Sequence, residues 1–103
     1  MKIAFVGPYN FVFPFKSLGA EIISSENKSI EEIKEEIQKS NFGIVFVFES
    51  VFKELMNFKD FIFDPERNIV PIPEVGGSKG YGILRIKEIV RKAVGIDIGG
   101  FDD

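Results

Sequence analysis

The sequence predicts a small α/β domain built on a parallel sheet, and three observations lead to this prediction. The stretch Ile44–Phe48 is five apolar residues in a row, and a strand without a polar side is typical of a sheet covered on both faces. Helical patterns lie before and after this stretch, as two covering layers require. A chain of 103 residues, of which 45% are hydrophobic, can form one core and is expected to be one domain.

Two short strands are expected before this central strand. Ile3–Val6 is apolar and is closed by a Gly-Pro pair, because proline donates no hydrogen bond to a sheet. Glu21–Ser24 is short and is therefore expected at an edge. Between the two strands, Pro14 is expected to open a short helix that Gly19 ends.

The clearest helix signal begins at Ser29, which forms a capping-box pattern with Glu32. Three isoleucines then recur at i, i+3 and i+7, so that they share one face of the helix. A further helix is expected directly after the central strand, with Ser50 as its capping residue. Both helices have polar residues on the remaining positions, which fits helices that lie on a sheet with one side in water.

The last third of the chain contains one more strand and one more helix. Residues 58–63 fit either a continuation of the preceding helix or a short extended segment. Asp64–Asn68 has the composition of a turn, and Ile69–Pro73 is expected as an edge strand because it carries two prolines. Residues 83–94 have a helical pattern that Gly95 ends.

The elements therefore alternate as β-α-β-α-β-α-β-α. Right-handed crossovers then give a four-stranded parallel sheet in the order 2-1-3-4, with helices on both faces: a flavodoxin-like or receiver-like three-layer sandwich. We expect a single domain over residues 1–103, divided into an α/β core (1–75), a glycine-rich hinge loop (76–82), a C-terminal helix (83–95) and a tail (96–103).

The composition excludes several kinds of function. The chain has no His and no Cys, so it lacks the commonest general base, the commonest transition-metal ligand and any thiolate. Its net charge of −3 argues against nucleic-acid binding. No apolar run approaches the roughly 20 residues of a membrane helix, and the first residues lead straight into a strand. We expect a cytoplasmic protein without catalytic residues, metal or cofactor.

Ligands of such a sheet bind beyond the carboxyl ends of strands 1 and 3, which here means Gly7–Asn10, Glu49 and Ser50. A receiver site needs acidic residues after strand 1, an Asp after strand 3 and a Lys after strand 4, and these residue types are missing. The Ser/Thr-rich phosphate loop of a flavin site is also missing. A signalling or anion-binding domain, holding a phosphate or nucleotide at Gly7–Asn10 or Gly76–Gly82, stays open as an alternative.

The glycine-rich loop also contains a short catalytic pattern. Gly76–Gly80 matches G-x-S-x-G, but a hydrolase triad needs a His, which leaves only Ser78 and Lys79 as a conceivable reactive pair. Backbone amides at the start of the final helix could instead bind an anion. A plain connecting loop is the simpler interpretation.

The final helix and the residues just before it carry a net positive charge, although the chain as a whole is acidic. Residues 79–92 contain five Lys or Arg and one Glu, a net charge of +4, which leaves −7 for the rest because the whole chain carries −3. The helix dipole explains the two cations of the last turn but not the three before them. A solvated polar face and a docking surface for an acidic helical partner are therefore both open interpretations. Phe11, Phe13 and Phe15 likewise fit either the edge of the core or a contact with a partner.

The chain as a whole resembles the F subunit of the V-type and A-type rotary ATPases. Four segments carry the resemblance: the opening Met1–Gly7, Phe15–Gly19, the central strand Gly43–Glu49, and the closing helix with its Gly-hydrophobic ending, Ile83–Ile96. The resemblance depends on the order and spacing of these segments over about 100 residues, because each segment alone is a weak match. The chain departs from the family pattern in carrying proline at positions 8 and 14.

The resemblance implies a non-catalytic subunit of the central stalk. Such a subunit binds the coiled-coil D subunit, contacts the catalytic A/B hexamer and the membrane ring only indirectly, and couples ATP turnover to proton or sodium transport. It is expected on the cytoplasmic face, without direct membrane insertion. The residues expected at the partner interface are Phe11, Phe13, Phe15, Ile83, Arg85, Ile86, Lys87, Ile89, Val90, Arg91 and Lys92.

Overall fold

The computed structural model describes residues 2–74 and 81–94, and it confirms the predicted sheet. Its four strands are parallel and lie in the order β2-β1-β3-β4. The strands are β1 (Ile3–Gly7), β2 (Glu21–Ser24), β3 (Ile44–Phe48) and β4 (Ile69–Ile72). The helices are α1 (Tyr9–Val12), a 3₁₀ helix (Phe13–Leu18), α2 (Ile30–Lys39), α3 (Glu49–Leu55), α4 (Lys59–Ile62) and α5 (Tyr81–Val94).

The central strand β3 is buried along its whole length, as its sequence predicts. It pairs with β1 on one side, where Phe46 lies opposite Phe5, and with β4 on the other, where Phe46 lies opposite Val70. Successive side chains of a strand point to opposite faces of the sheet, so a strand with two covered faces has no position for a polar side chain. The five apolar residues of β3 follow directly from this placement.

The two faces of the sheet carry different kinds of side chain. One face, which we call the aliphatic face, presents Ala4 and Val6 of β1 and Val45 and Val47 of β3 to α2, α3 and α4. The opposite face, which we call the aromatic face, presents the alternate residues of the same strands to α1, the 3₁₀ helix and α5. Its sheet residues are Phe5, Ile44, Phe46, Phe48 and Ile72.

On the aliphatic face, α2 begins as the sequence predicts. The Glu32 N–H donates to the Ser29 hydroxyl at 3.1 Å, and the Ser29 N–H donates to the Glu32 carboxylate at 2.8 Å. This capping box satisfies two backbone groups at the point where the helix has no partners of its own. The buried Ile33 and Ile37 then pack against the small sheet residues.

The aromatic face is packed through stacked rings. Phe5 lies between two partners: its ring is stacked on Phe15 of the 3₁₀ helix at 4.2 Å between centroids and on Phe46 of β3 at 5.0 Å. Stacked and tilted aromatic pairs contribute about 0.5–1.5 kcal/mol beyond the burial of their surface. The 3₁₀ helix ends at Gly19, whose φ of 83° is the left-handed conformation predicted for a helix end.

The last strand, β4, is the edge strand that its prolines predict. The Val45 N–H of β3 donates to the Asn68 carbonyl at 2.8 Å, just before β4 begins. Because alternate residues of a parallel strand bond to opposite neighbours, Ile69 and Pro71 turn their backbone away from β3. Pro71 therefore occupies a position where the missing N–H removes no bond within the sheet.

Three details differ from the predictions. Ser50 does not cap α3, because the helix already begins at Glu49 and Ser50 lies within its first turn, where its N–H donates to Glu74. Residues 58–63 form neither the continuation of the preceding helix nor the extended segment that the sequence allowed, since Lys59–Ile62 is a separate short helix, α4. The final helix begins at Tyr81, two residues before the predicted start. The rest of the predicted hinge loop, with Ser78 and Lys79, and the tail lie outside the described residues.

Candidate partner-binding surface

At the carboxyl end of the sheet, the protein's own carboxylates bond to the first amides of two helices. The Tyr9 N–H at the start of α1 donates to Glu26 Oε2 at 3.2 Å. The Ser50 N–H in the first turn of α3 donates to Glu74 Oε2 at 3.2 Å, and the Ser50 hydroxyl donates to the same oxygen. An anion at Gly7–Asn10 would have to displace the Glu26 carboxylate or lie beside its negative charge. These contacts argue against the anion-binding alternative at this position.

The carboxylate of Glu74 belongs to a small cluster that joins the end of β4 to the start of α3. The Glu74 N–H donates to Glu49 Oε1 at 3.2 Å, while the Glu74 carboxylate accepts from Ser50. Two segments about 25 positions apart are thus tied together by bonds in both directions. This cluster fixes the position of the chain at Glu74, two residues after the end of β4.

Replacing Glu74 with alanine is expected to lower the free energy of unfolding by about 1–2 kcal/mol, because both Ser50 donors lose an ionised acceptor. Glu74→Gln keeps an acceptor oxygen and is expected to lose less. Urea unfolding of both variants measures the effect. The exposed Glu54 of α3 provides the control, since Glu54→Ala removes a Glu from the same surface without removing these bonds. Equal stability of Glu74→Ala and Glu54→Ala would show that the cluster stabilises nothing.

The three phenylalanines expected at an interface have three different environments. Phe15 is 2% exposed and stacks on Phe5 inside the core. Phe11 is half-buried, with its ring tilted against Phe48 at 5.3 Å between centroids. Phe13 is 53% exposed, although it lies midway between the other two in the sequence. Of the three, Phe13 offers the largest fraction of its surface to a partner.

The residues expected on the final helix divide in a similar way. Ile86 and Val90 are buried against the aromatic face, and Ile89 is half-buried beside them. Arg91 and Lys92 are exposed on the outer side of the helix. The backbone at Ile83, Arg85 and Lys87 belongs to α5, while their side chains lie outside the described part of the chain. The apolar stripe of α5 therefore holds the helix on the sheet, and Arg91 and Lys92 point away from it.

Sequence reasoning missed two exposed rings and two capping carboxylates. Tyr9 is 47% exposed and Phe63 is 65% exposed, and no periodic pattern marks either of them as a surface residue. Glu26 and Glu74 bond to amides 17 and 24 positions away along the chain. The available signal was their position: each stands one or two residues beyond the predicted end of a strand, where the carboxyl end of a parallel sheet meets the starts of its helices.

Comparison with known proteins identifies relatives over nearly the whole chain. The family model described as "ATP synthase (F/14-kDa) subunit" matches residues 3–90. The V-type ATP synthase F subunit of Fusobacterium nucleatum is 31% identical over 99 residues, which cover 94% of each chain. The A-type ATP synthase F subunit of Thermococcus onnurineus is 31% identical over 105 residues, covering 95% of this chain and 98% of the relative. The V-type ATP synthase F subunit of Clostridium perfringens is 30% identical over 102 residues, covering 94% of each.

Within residues 2–74 and 81–94, no three acidic side chains are placed as they would be to hold a metal ion. In the same part of the chain, none of the helices has the length and hydrophobicity needed to span a membrane.

Proposed function

Since the chain belongs to the ATP synthase (F/14-kDa) subunit family, we propose that it is a non-catalytic central-stalk subunit of a V-type or A-type ATP synthase. In this role it binds the coiled-coil D subunit and couples ATP turnover to proton or sodium transport. It stands on the cytoplasmic face of the membrane, attached through the complex, with the A/B hexamer and the membrane ring as indirect neighbours. The observation that carries the proposal is the family match, which spans the whole sheet and most of α5.

The carboxyl end of the sheet supports a non-catalytic role. Enzymes with this architecture place reactive groups there, and they use the starts of helices to bind charged substrates. In this chain Glu26 and Glu74 already bond to those helix starts. The polar groups at this end hold the fold together, so the function is expected on the outer surfaces of the helices.

The outer side of α5 supports a charged contact with the D subunit. Ile86 and Val90 face the sheet, so the helix is fixed in rotation and presents Glu88, Arg91 and Lys92 to solvent. Surface cations of this kind steer an acidic partner and add salt-sensitive affinity. We expect α5 to bind an acidic stretch of the coiled coil.

Reversing both exposed charges in Arg91→Glu/Lys92→Glu is expected to weaken binding to the D subunit about tenfold or more at low salt. The loss arises because two favourable charge contacts become repulsive. Isothermal titration calorimetry of the purified chain against the D subunit, at two or more salt concentrations, measures the effect. The affinity of the variant should also depend less steeply on salt than that of the unchanged protein.

A matched control uses a charge of the same kind on the other face of the sheet. Lys53 is exposed on α3, and Lys53→Glu changes the net charge in the same direction without touching α5. Its affinity should stay within about twofold of that of the unchanged protein. If the α5 variant binds the D subunit as tightly as Lys53→Glu does, the charges of α5 do not contact the D subunit. If the unchanged chain does not bind the D subunit at all, the proposed function is wrong.

A further inference from the structure

Two aromatic rings stand exposed side by side on the outer surface of α1 and the 3₁₀ helix. Tyr9 is 47% exposed and Phe13 is 53% exposed, and their rings are stacked at 5.4 Å between centroids. We call this pair the aromatic platform. Aromatic rings bury much of their surface in most folded proteins, and contiguous exposed apolar surface points to an interaction site more strongly than a single exposed side chain does.

An open recess lies directly beside the platform. It has a volume of about 380 Å³ and is lined by Phe13, Pro14, Lys16 and Ser17, all on the 3₁₀ helix. The Ser17 hydroxyl donates to the Pro14 carbonyl at 3.3 Å, so this polar group is satisfied within the helix. The recess is therefore shaped by a ring and a proline, with one cation at its rim. It has room for an apolar side chain from a partner.

The charge at this recess is positive. Lys16 is exposed, it is the one charged residue in positions 9–18, and it makes no ion pair with any of residues 2–74 and 81–94. An apolar recess with an ammonium group at its edge is complementary to a partner that offers an apolar side chain and a carboxylate close together. A helix presents this pair at positions three or four residues apart.

The platform lies on the same side of the sheet as α5. The helices that carry Tyr9, Phe13 and Lys16 cover the aromatic face, which α5 also covers with Ile86 and Val90. By contrast, the exposed ring of Phe63 follows α4 on the aliphatic face. One side of the molecule thus combines exposed rings, a recess and outward cations. A single elongated, acidic partner could contact all of them.

We propose that the aromatic platform is a second docking site for the coiled-coil partner, separate from α5. An apolar side chain of the partner enters the recess beside Phe13, and a nearby carboxylate of the same helix pairs with Lys16. This inference rests on the proposed function, because it takes the D subunit as the occupant. It adds Phe13 and Lys16, in the first third of the chain, to the residues that contribute to the affinity for the D subunit.

The test compares substitutions that remove each part of the site with one on the opposite face. Phe13→Ser and Lys16→Glu are titrated against the D subunit by calorimetry, with Phe63→Ser as the control for an equally exposed ring. Truncation of an aromatic anchor in an interface usually weakens binding more than about tenfold, and we expect that loss for Phe13→Ser. Lys16→Glu should weaken binding several-fold and reduce its salt dependence. Phe63→Ser should stay within about twofold of the unchanged protein.

The outcomes separate this inference from the proposed function. Circular dichroism melting of each variant first establishes that the fold is kept, and Lys16→Glu provides a variant in which no aromatic ring is removed. If the unchanged chain binds the D subunit and both variants bind equally well, the platform is not a docking site while the stalk function stands. If the unchanged chain does not bind, both fail. If Phe13→Ser abolishes a dimer of this chain in analytical ultracentrifugation, a second copy occupies the platform and the inference is wrong.

Discussion

Replacing Phe46 with alanine is expected to lower the free energy of unfolding by about 3–5 kcal/mol. Phe46 is fully buried in the middle of β3 and its ring stacks on Phe5 at 5.0 Å. The substitution removes apolar burial and leaves a cavity between the sheet and the layer above it. A domain of this size is usually stable by only about 5–15 kcal/mol, so the loss is a large share of the total.

Chemical denaturation followed by circular dichroism measures this effect, since the chain has no Trp whose fluorescence could report it. Phe63→Ala is the matched control because it truncates the same kind of side chain at a position that is 65% exposed. The control should change stability by about 0.5 kcal/mol or less. If Phe46→Ala costs no more than Phe63→Ala, the ring stack does not form the centre of the aromatic face.

The second large effect is expected at Gly7, the last residue of β1. A Cβ atom at this position would lie 2.8 Å from the Cβ of Phe48 and 2.9 Å from its Cδ1, distances that packed carbon atoms do not adopt. The ring of Phe48 therefore has to move, and it is fully buried against Phe11 and the rest of the aromatic face. We expect Gly7→Ala to cost about 1–3 kcal/mol, and Gly7→Val more, as overpacking does.

Gly19→Ala distinguishes lack of space from backbone strain. Gly19 has a φ of 83°, but a Cβ there meets no atom within 4 Å, so only the left-handed backbone is penalised, by about 1 kcal/mol. In Gly7→Ala, NMR should also show shifted resonances for the rings of Phe48 and Phe11, which Gly19→Ala should leave unchanged. Unchanged ring resonances together with full stability in Gly7→Ala would contradict the close approach described here.

The sequence predicts the sheet well because each strand has a local signal. The order 2-1-3-4 follows from the uninterrupted apolar residues of β3 and from the prolines of β4, which restrict those strands to the middle and to an edge. The capping box at Ser29 is equally local, since both partners lie within one helical turn. Signals of this kind depend on neighbours in the sequence, so they can be read without coordinates.

The surface is harder to predict because its properties depend on distant contacts. Phe13 and Phe15 lie close together in one 3₁₀ helix, yet the first is exposed and the second stacks on β1. Such a short helix has no long periodic pattern that would indicate which side faces the sheet. The prediction that Ser50 caps α3 was wrong because the helix begins one residue earlier, and the actual partner of Ser50, Glu74, lies 24 positions away. The side chains that surround a docking surface are therefore set by the tertiary structure.

The position of Pro71 in β4 has a consequence for the tendency of this protein to aggregate at high concentration. An open β-strand edge is a template on which another chain can extend the sheet, and this is a common route to aggregation. At β4 the outward-facing backbone lacks an amide hydrogen at Pro71, and that proline is exposed where an incoming strand would have to pair. Pro71 therefore disfavours extension of the sheet at this edge by removing a backbone hydrogen bond, an effect that does not depend on charge.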